Sequence, residues 1–193
     1  MKRRITYLAV VAALALGSCA GNKGTPSNQT DACSVLDQQR GWSRDLVQAE
    51  RKWGVPAHVI MATIWKESSY RSRARTQRKY FLGLVPTGRI SSAYGYAQAI
   101  DATWDWYRQD TGNRFADRND FDDSIDFIGW YMDVSNRRLG IAKDDAYNQY
   151  LAYHEGHTGY KRGSHNEKSW LIGTAREVES MGRRYESQLE TCL

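Results

Sequence analysis

Apolar residues recur along most of this chain at helical intervals. Trp42, Leu46, Ala49 and Trp53 follow one another at i, i+4, i+7 and i+11, which predicts a helix that Gly54 closes. Pro56 suits the first turn of the next helix, which runs to about Ser68. The stretch DATWDWYRQ, from Asp101, predicts another. Asp122, Asp123 and Ser124 are candidate caps for a helix with Ile125, Ile128 and Met132 on one face. Arg137 and Arg138 favour its C-terminal end and Gly140 its stop. Asp144 and Asp145 begin a helix through Tyr147, Leu151 and His154. The last helix carries Leu171, Ala175, Val178, Gly182, Tyr185 and Leu189 on one stripe. No alternating run of strand length stands out. The least regular part, KYFLGLVPTGRISSAYGY, predicts a loop or small hairpin. The fold expected is mainly α, in a single domain.

One helix raises a chemical question. Ile60, Ile64 and Glu67 share a face, and Met61 and Trp65 leave little of the helix for water. A carboxylate held against apolar groups resists ionisation, so its pKa rises. Such a group stays protonated near neutral pH and serves as a general acid. The other reading has Glu67 end the helix in solvent, or pair with Arg71, Arg73 or Arg75.

The amino terminus changes the setting. Lys2, Arg3 and Arg4 precede an apolar stretch from Ile5 to Leu16, the layout of a secretory signal too short for a membrane span. Leu16-Gly17-Ser18-Cys19 resembles a bacterial lipobox, which implies cleavage before Cys19 and lipid on its thiol. A plain signal peptide with an incidental cysteine is the alternative. The organisation expected is a signal over 1–18, a small, polar, flexible tether over 19–31 and a folded domain over 32–193. If Cys19 carries lipid, Cys33 and Cys192 remain. In an oxidising compartment they form a disulfide; otherwise they are two free thiols.

Charge and composition exclude rather than identify. Lys2, Arg3 and Arg4 supply three of the formal +5, which leaves about +2 on the remainder and no argument for nucleic acid. Seven Trp and twelve Tyr against four Phe suit sugar rings, or equally an aromatic core. His154, His157 and His165 lack the i, i+4 pairing of a helical metal site, so neither metal nor cofactor is expected.

The stretch WGVPAHVIMATIWKESSY resembles the first motif of the Slt-type lytic transglycosylases, relatives of goose-type lysozyme. That motif has Gly-Val before an apolar helix ending in Glu-Ser. Gly95-Tyr96-Ala97-Gln98 is similar to the family's Gly-Leu-Met-Gln, and Ala152-Tyr153-His154-Glu155-Gly156 to its Ala-Tyr-Asn-Ala-Gly. Between them, DDSIDFIGWYM resembles the family's helix with Asn-Ile, Gly and Tyr-Leu. The fragments keep the family's order from about Trp53 to Tyr160. Three departures stand out. The gap from Glu67 to Gly95 is about a dozen residues longer than usual, with the excess in RTQRKYFLGLVPTGRI, beside the groove. Ala97 replaces Met, which would open space beside the site. His154 and Glu155 replace Asn-Ala.

The resemblance implies a lysozyme-like helical domain that cleaves the bond between N-acetylmuramic acid and N-acetylglucosamine in peptidoglycan. One Glu acts as acid and then base, and a 1,6-anhydro end forms without water. Glu67 takes that role. Gln98 would hydrogen-bond the sugar, with Tyr96 of the same motif among the binding residues. Tyr153 would place its hydroxyl near Glu67. Ser68 would support the helix end beside the site, and Ser92 (or Ser91) would meet an acetamido group. Glu155 would either activate water as a second carboxylate, about 6.5–9.5 Å from the acid, or pair with His154 or His157. Asp101 and Asp105 are further candidates for that second carboxylate. Lys161 and Arg162 would meet anionic peptide stems. The alternatives are a hydrolytic muramidase and a lysozyme-like module that binds glycan without turnover. The expected partners are glycan strands, and a membrane reached through lipid on Cys19. Ala20 after that cysteine implies the outer membrane, facing the periplasm.

Overall fold

The computed structural model describes residues 24–82 and 84–193. The expected signal over 1–18 and Cys19 lie outside them. Among the described residues, helices α1 (Ala32–Gln38), α2 (Trp42–Trp53) and α3 (Ala57–Ser68) are followed by strands β1 (Arg78–Phe81) and β2 (Val85–Arg89). Then come α4 (Asp101–Thr111), α5 (Phe121–Leu139), α6 (Ala146–Lys161), a 3-10 turn at Ser164–Glu167 and α7 (Ser169–Leu189). The chain is mainly α, with one two-stranded antiparallel hairpin where the sequence is least regular. No described helix is long and apolar enough to cross a membrane.

Helix α3 is the axis of the domain. It packs against α7 along most of its length and also touches α2, α5 and α6. Val59, Ile60, Met61, Ala62, Thr63 and Ile64 are all fully buried, as a helix without a polar face must be. The one hydroxyl among them, on Thr63, donates to the Val59 carbonyl at 2.9 Å, so no polar group is stranded. The helix stops abruptly. Ser69 and Tyr70 are both left-handed, with φ of 52° and 57°, a conformation that costs a non-glycine residue roughly 1–2 kcal/mol. The buried Tyr70 hydroxyl holds the turn by donating to the Met61 carbonyl at 3.2 Å, and it meets the Tyr185 hydroxyl at 3.1 Å.

The cap of helix α5 lies two residues before the first expected candidate. Asp120 accepts from the amides of Asp122 and Asp123. Asp122 and Asp123 then lie in the first turn, where a negative charge suits the helix dipole. Helix α1 has too few turns for a recurring stripe and is absent from the periodicity. Asp31 caps it by accepting from the Ser34 amide, and Ala32, Val35 and Leu36 are buried. Part of the expected tether is not free of the domain. Pro26 is buried, and the Gln39 side chain donates to the Gly24 carbonyl at 2.6 Å.

Much of the aromatic composition is core. Trp42 stacks on Phe121 with centroids 3.5 Å apart, and Tyr96 meets both rings edge-on. Cys33, on α1, is joined by a disulfide to Cys192, beyond α7. Because 159 positions separate them, the bond restricts a very long loop in the unfolded chain. Cys33→Ser is expected to cost about 2–5 kcal/mol, read as a lower denaturant midpoint with an unchanged helical circular-dichroism spectrum below the transition.

Candidate active site

Glu67 sits in the last turn of α3, at the wall of a groove of about 410 Å³. The turn before the hairpin adds Thr76, the loop before α4 adds Gln98, α5 adds Phe127 and Tyr131, and α6 adds Tyr153 and Glu155. The Glu67 carboxyl is pushed up to about 7 from an ordinary 4.5, chiefly because burial penalises its charge. The helix C-terminus adds to this, since its unpaired carbonyls disfavour an anion. A hydrogen bond with the Tyr150 hydroxyl opposes the rise, and the Lys66 ammonium opposes it more weakly.

That hydroxyl adds to one expectation: Tyr153 lies close enough to feel the Glu67 charge, but it is not alone. Tyr153 lines the groove, but its hydroxyl donates to the Ala97 carbonyl at 2.6 Å, tying α6 to the loop before α4. Tyr150, one turn earlier on the same face of α6, is the tyrosine whose hydroxyl acts most strongly on the Glu67 carboxyl. The motif drew attention to its own tyrosine. The i−3 spacing on α6 was the signal available for the other.

The loop from Gly95 to Gln98 is held by a close backbone approach. Gly95 has φ of +78°, and a Cβ there would lie 1.8 Å from the Arg118 carbonyl oxygen. Gln98 is also left-handed, and its amide nitrogen donates to the carbonyls of Ala74 and Gly95 at 3.0 and 2.8 Å. Its side-chain oxygen is therefore the group left to accept from a ligand. Ala97 is fully buried and does not line the groove, so the small residue opens no space there.

Two expected binding residues, Tyr96 and Ser92, lie elsewhere, and Ser68 is used locally. Tyr96 is core, packed between Trp42 and Phe121. Ser68 is only 1% exposed and donates to the Ile64 carbonyl at 3.2 Å, a local bond at the helix end. Ser92 accepts from the Asp101 amide at 3.0 Å and so caps α4, whose own preceding residue, Ile100, has no side chain able to do so. Ser91 is likewise used locally, accepting from the Ala93 amide.

Glu155 does line the groove, as a fixed anion. Its side chain is 4% exposed and receives Lys168 at 2.7 and 2.9 Å, the Ser164 hydroxyl, and a contact with His154 Nδ1 at 3.2 Å. Lys168 above all holds its pKa down at about 2. A carboxylate so engaged is a poor base for water. Directly after it, Gly156 breaks α6 with φ 74° and ψ 156°, a region essentially closed to other residues. Asp101 and Asp105 are outside the groove lining, paired with Arg118 and Arg108. Lys161 and Arg162 are exposed.

The histidines are dispersed. His157 meets the Ser135 hydroxyl at 3.0 Å and stacks on Tyr131, and burial lowers its pKa. His165 stacks on Tyr160, and His154 faces Trp170 edge-on. Among the described residues no three His, Cys, Asp or Glu side chains gather as metal ligands.

The raised carboxyl has a thermodynamic signature. Between pH 4.5 and about 7 the folded chain holds a proton at Glu67 that the unfolded chain has lost. Stability from this group is therefore unaffected below that window, falls as pH rises through it, and stays reduced above it. Glu67→Gln is expected to stabilise the domain at pH 8 by up to about 3 kcal/mol. Near pH 4 it should change little. Denaturant unfolding at the two pH values measures the difference.

A family model described as a transglycosylase SLT domain matches residues 7–192. No curated protein and no solved structure matches the chain.

Proposed function

The chain belongs to the transglycosylase SLT domain family, and from that premise we propose that Glu67 is the single general acid and base of a lytic transglycosylase acting on peptidoglycan glycan strands. The observation that carries this reading is the contrast between two groove carboxyls. Glu67 sits at about 7 and can exchange a proton, whereas Glu155 is pinned as an anion at about 2.

Protonated Glu67 gives its proton to the oxygen linking N-acetylmuramic acid to N-acetylglucosamine, and the bond from that oxygen to muramoyl C1 breaks. The resulting Glu67 carboxylate takes the proton of the muramoyl C6 hydroxyl, whose oxygen bonds to C1. One bond breaks, one forms, and Glu67 ends protonated as it began. No water is consumed, and no second carboxylate has to be free. Tyr150 orients the carboxyl and limits its rise. Phe127, Tyr131 and Tyr153 give the groove an apolar floor for the sugars, and the Gln98 carbonyl oxygen accepts from a hydroxyl or acetamido N–H. In the cell, lipid on Cys19 would hold the domain at the outer membrane, facing the periplasm.

Digestion of purified sacculi by the chain from Gly24 to Leu193, followed by mass spectrometry of the muropeptides, tests the reading. This segment contains the whole described core and the disulfide. Anhydro ends are expected, and Glu67→Gln should release them about 10²–10⁴-fold more slowly. Reducing muramic acid ends would make the enzyme a hydrolase. Sacculus binding without products from the parent chain would make it a glycan-binding module.

The pH profile adds an independent check. Activity should fall as pH rises through about 7, where Glu67 loses its proton. Tyr150→Phe removes a bond that favours the charged form, so its alkaline limb is expected at higher pH. An unshifted limb would remove Tyr150 from this role.

A further inference from the structure

The hairpin of β1 and β2 is at odds with the rest of the domain. Elsewhere large apolar side chains are mostly buried. Here Leu82 and Leu84 are 81% and 83% exposed, and Tyr80, Val85 and Ile90 are each more than half exposed. Among the described residues the strands pair with one another, and no helix packs closely on them. A two-stranded hairpin alone is marginal in water, and an exposed apolar cluster marks a contact surface.

Charge narrows the partner. From Arg71 to Ile90 the chain carries Arg71, Arg73, Arg75, Arg78, Lys79 and Arg89, with no Asp or Glu. Among the described residues none of these cations pairs with a carboxylate. Three are engaged otherwise. The Arg75 guanidinium lies over the Tyr94 ring at 4.2 Å, Arg89 donates to the Thr76 carbonyl, and Arg71 donates to the Ser68 carbonyl at 2.9 Å. Arg73, Arg78 and Lys79 are left for an anion outside the domain.

The order along the hairpin distinguishes a bilayer from a protein groove. A protein groove asks for an apolar face flanked by a polar rim. Here the cations lie at the root and along the stem, and the apolar side chains of Leu82, Leu84 and Val85 gather at the tip, with Tyr80 between. That sequence of layers is the one met on entering a membrane, with phosphates first and hydrocarbon beneath. From Arg78 to Leu82 an extended strand spans roughly 13 Å, enough for a tip buried about 5–10 Å while the stem stays among the headgroups.

We propose that the β1–β2 hairpin docks on an anionic lipid bilayer, with Leu82, Leu84 and Val85 inserted at the headgroup boundary and Arg78 and Lys79 against lipid phosphates. The hairpin root adjoins the groove through Thr76, so docking sets the groove's height and tilt above the lipid. Lipid on Cys19 alone would limit only its distance.

Vesicle flotation with the Gly24–Leu193 chain tests this without reference to catalysis. The parent chain should float with phosphatidylglycerol–phosphatidylethanolamine vesicles, much less with phosphatidylcholine vesicles, and less as salt increases. Leu82→Ser combined with Leu84→Ser, and separately Arg78→Glu combined with Lys79→Glu, should each lower vesicle binding at least about tenfold. Both variants should keep the parent's thermal unfolding and its muropeptide release from lipid-free sacculi. Failure of the parent to float, or tip variants that float like the parent, overturns the proposal. Loss of activity on lipid-free sacculi with vesicle binding intact also overturns it, and assigns the hairpin to the glycan groove.

Discussion

The structure turns on the burial of α3. A helix with no polar face must be surrounded, and α2, α5, α6 and α7 do this. The cost is placed at one end. The chain must leave the core there, and it does so through two left-handed residues immediately after Glu67 and Ser68. The carboxyl is therefore held where water is scarce and the helix dipole is unfavourable to its charge. Its raised pKa follows from the same packing that holds the domain together. Loosening α3 would solvate the acid as well as weaken the core.

The second carboxylate shows how the same groove produces the opposite effect. Glu155 is as hidden from water as many core side chains, yet Lys168 and Ser164 meet its oxygens directly. Desolvation raises a pKa only where no partner replaces the lost water. One wall of the groove thus keeps a proton near neutrality. Another part of its lining, Glu155, keeps a permanent negative charge, braced to the start of α7 just before the break at Gly156.

The long helices were legible because their apolar stripes are long enough to repeat, and Gly54 and Gly140 stop α2 and α5 where the sequence suggests. The position of Glu67 on the Ile60–Ile64 face was legible for the same reason. Helix α1 was not, since seven residues hold too few turns for a stripe. Ser92 was misread because its cap is non-local. It reaches the Asp101 amide across the Tyr94–Ala99 bridge, a closure that spacing alone does not reveal. Tyr96 was misread because a motif residue was taken to face the ligand, whereas the side chain between Trp42 and Phe121 supports the loop from behind. Tyr150 was missed because its partner is 83 positions away in sequence, on a different helix. The Glu155 ion pair escaped notice because Lys168 becomes its neighbour only after the 3-10 turn folds back.

The bond between Cys33 and Cys192 closes nearly the whole domain into a covalent ring. Its most exposed arc is the hairpin, whose stem offers Arg78 and Lys79 to trypsin-like proteases. A single cut in that arc opens the ring without dividing the molecule. The helices on either side remain one covalent body, with α3 still enclosed, so the domain can lose continuity at its most vulnerable point and keep its acid in place.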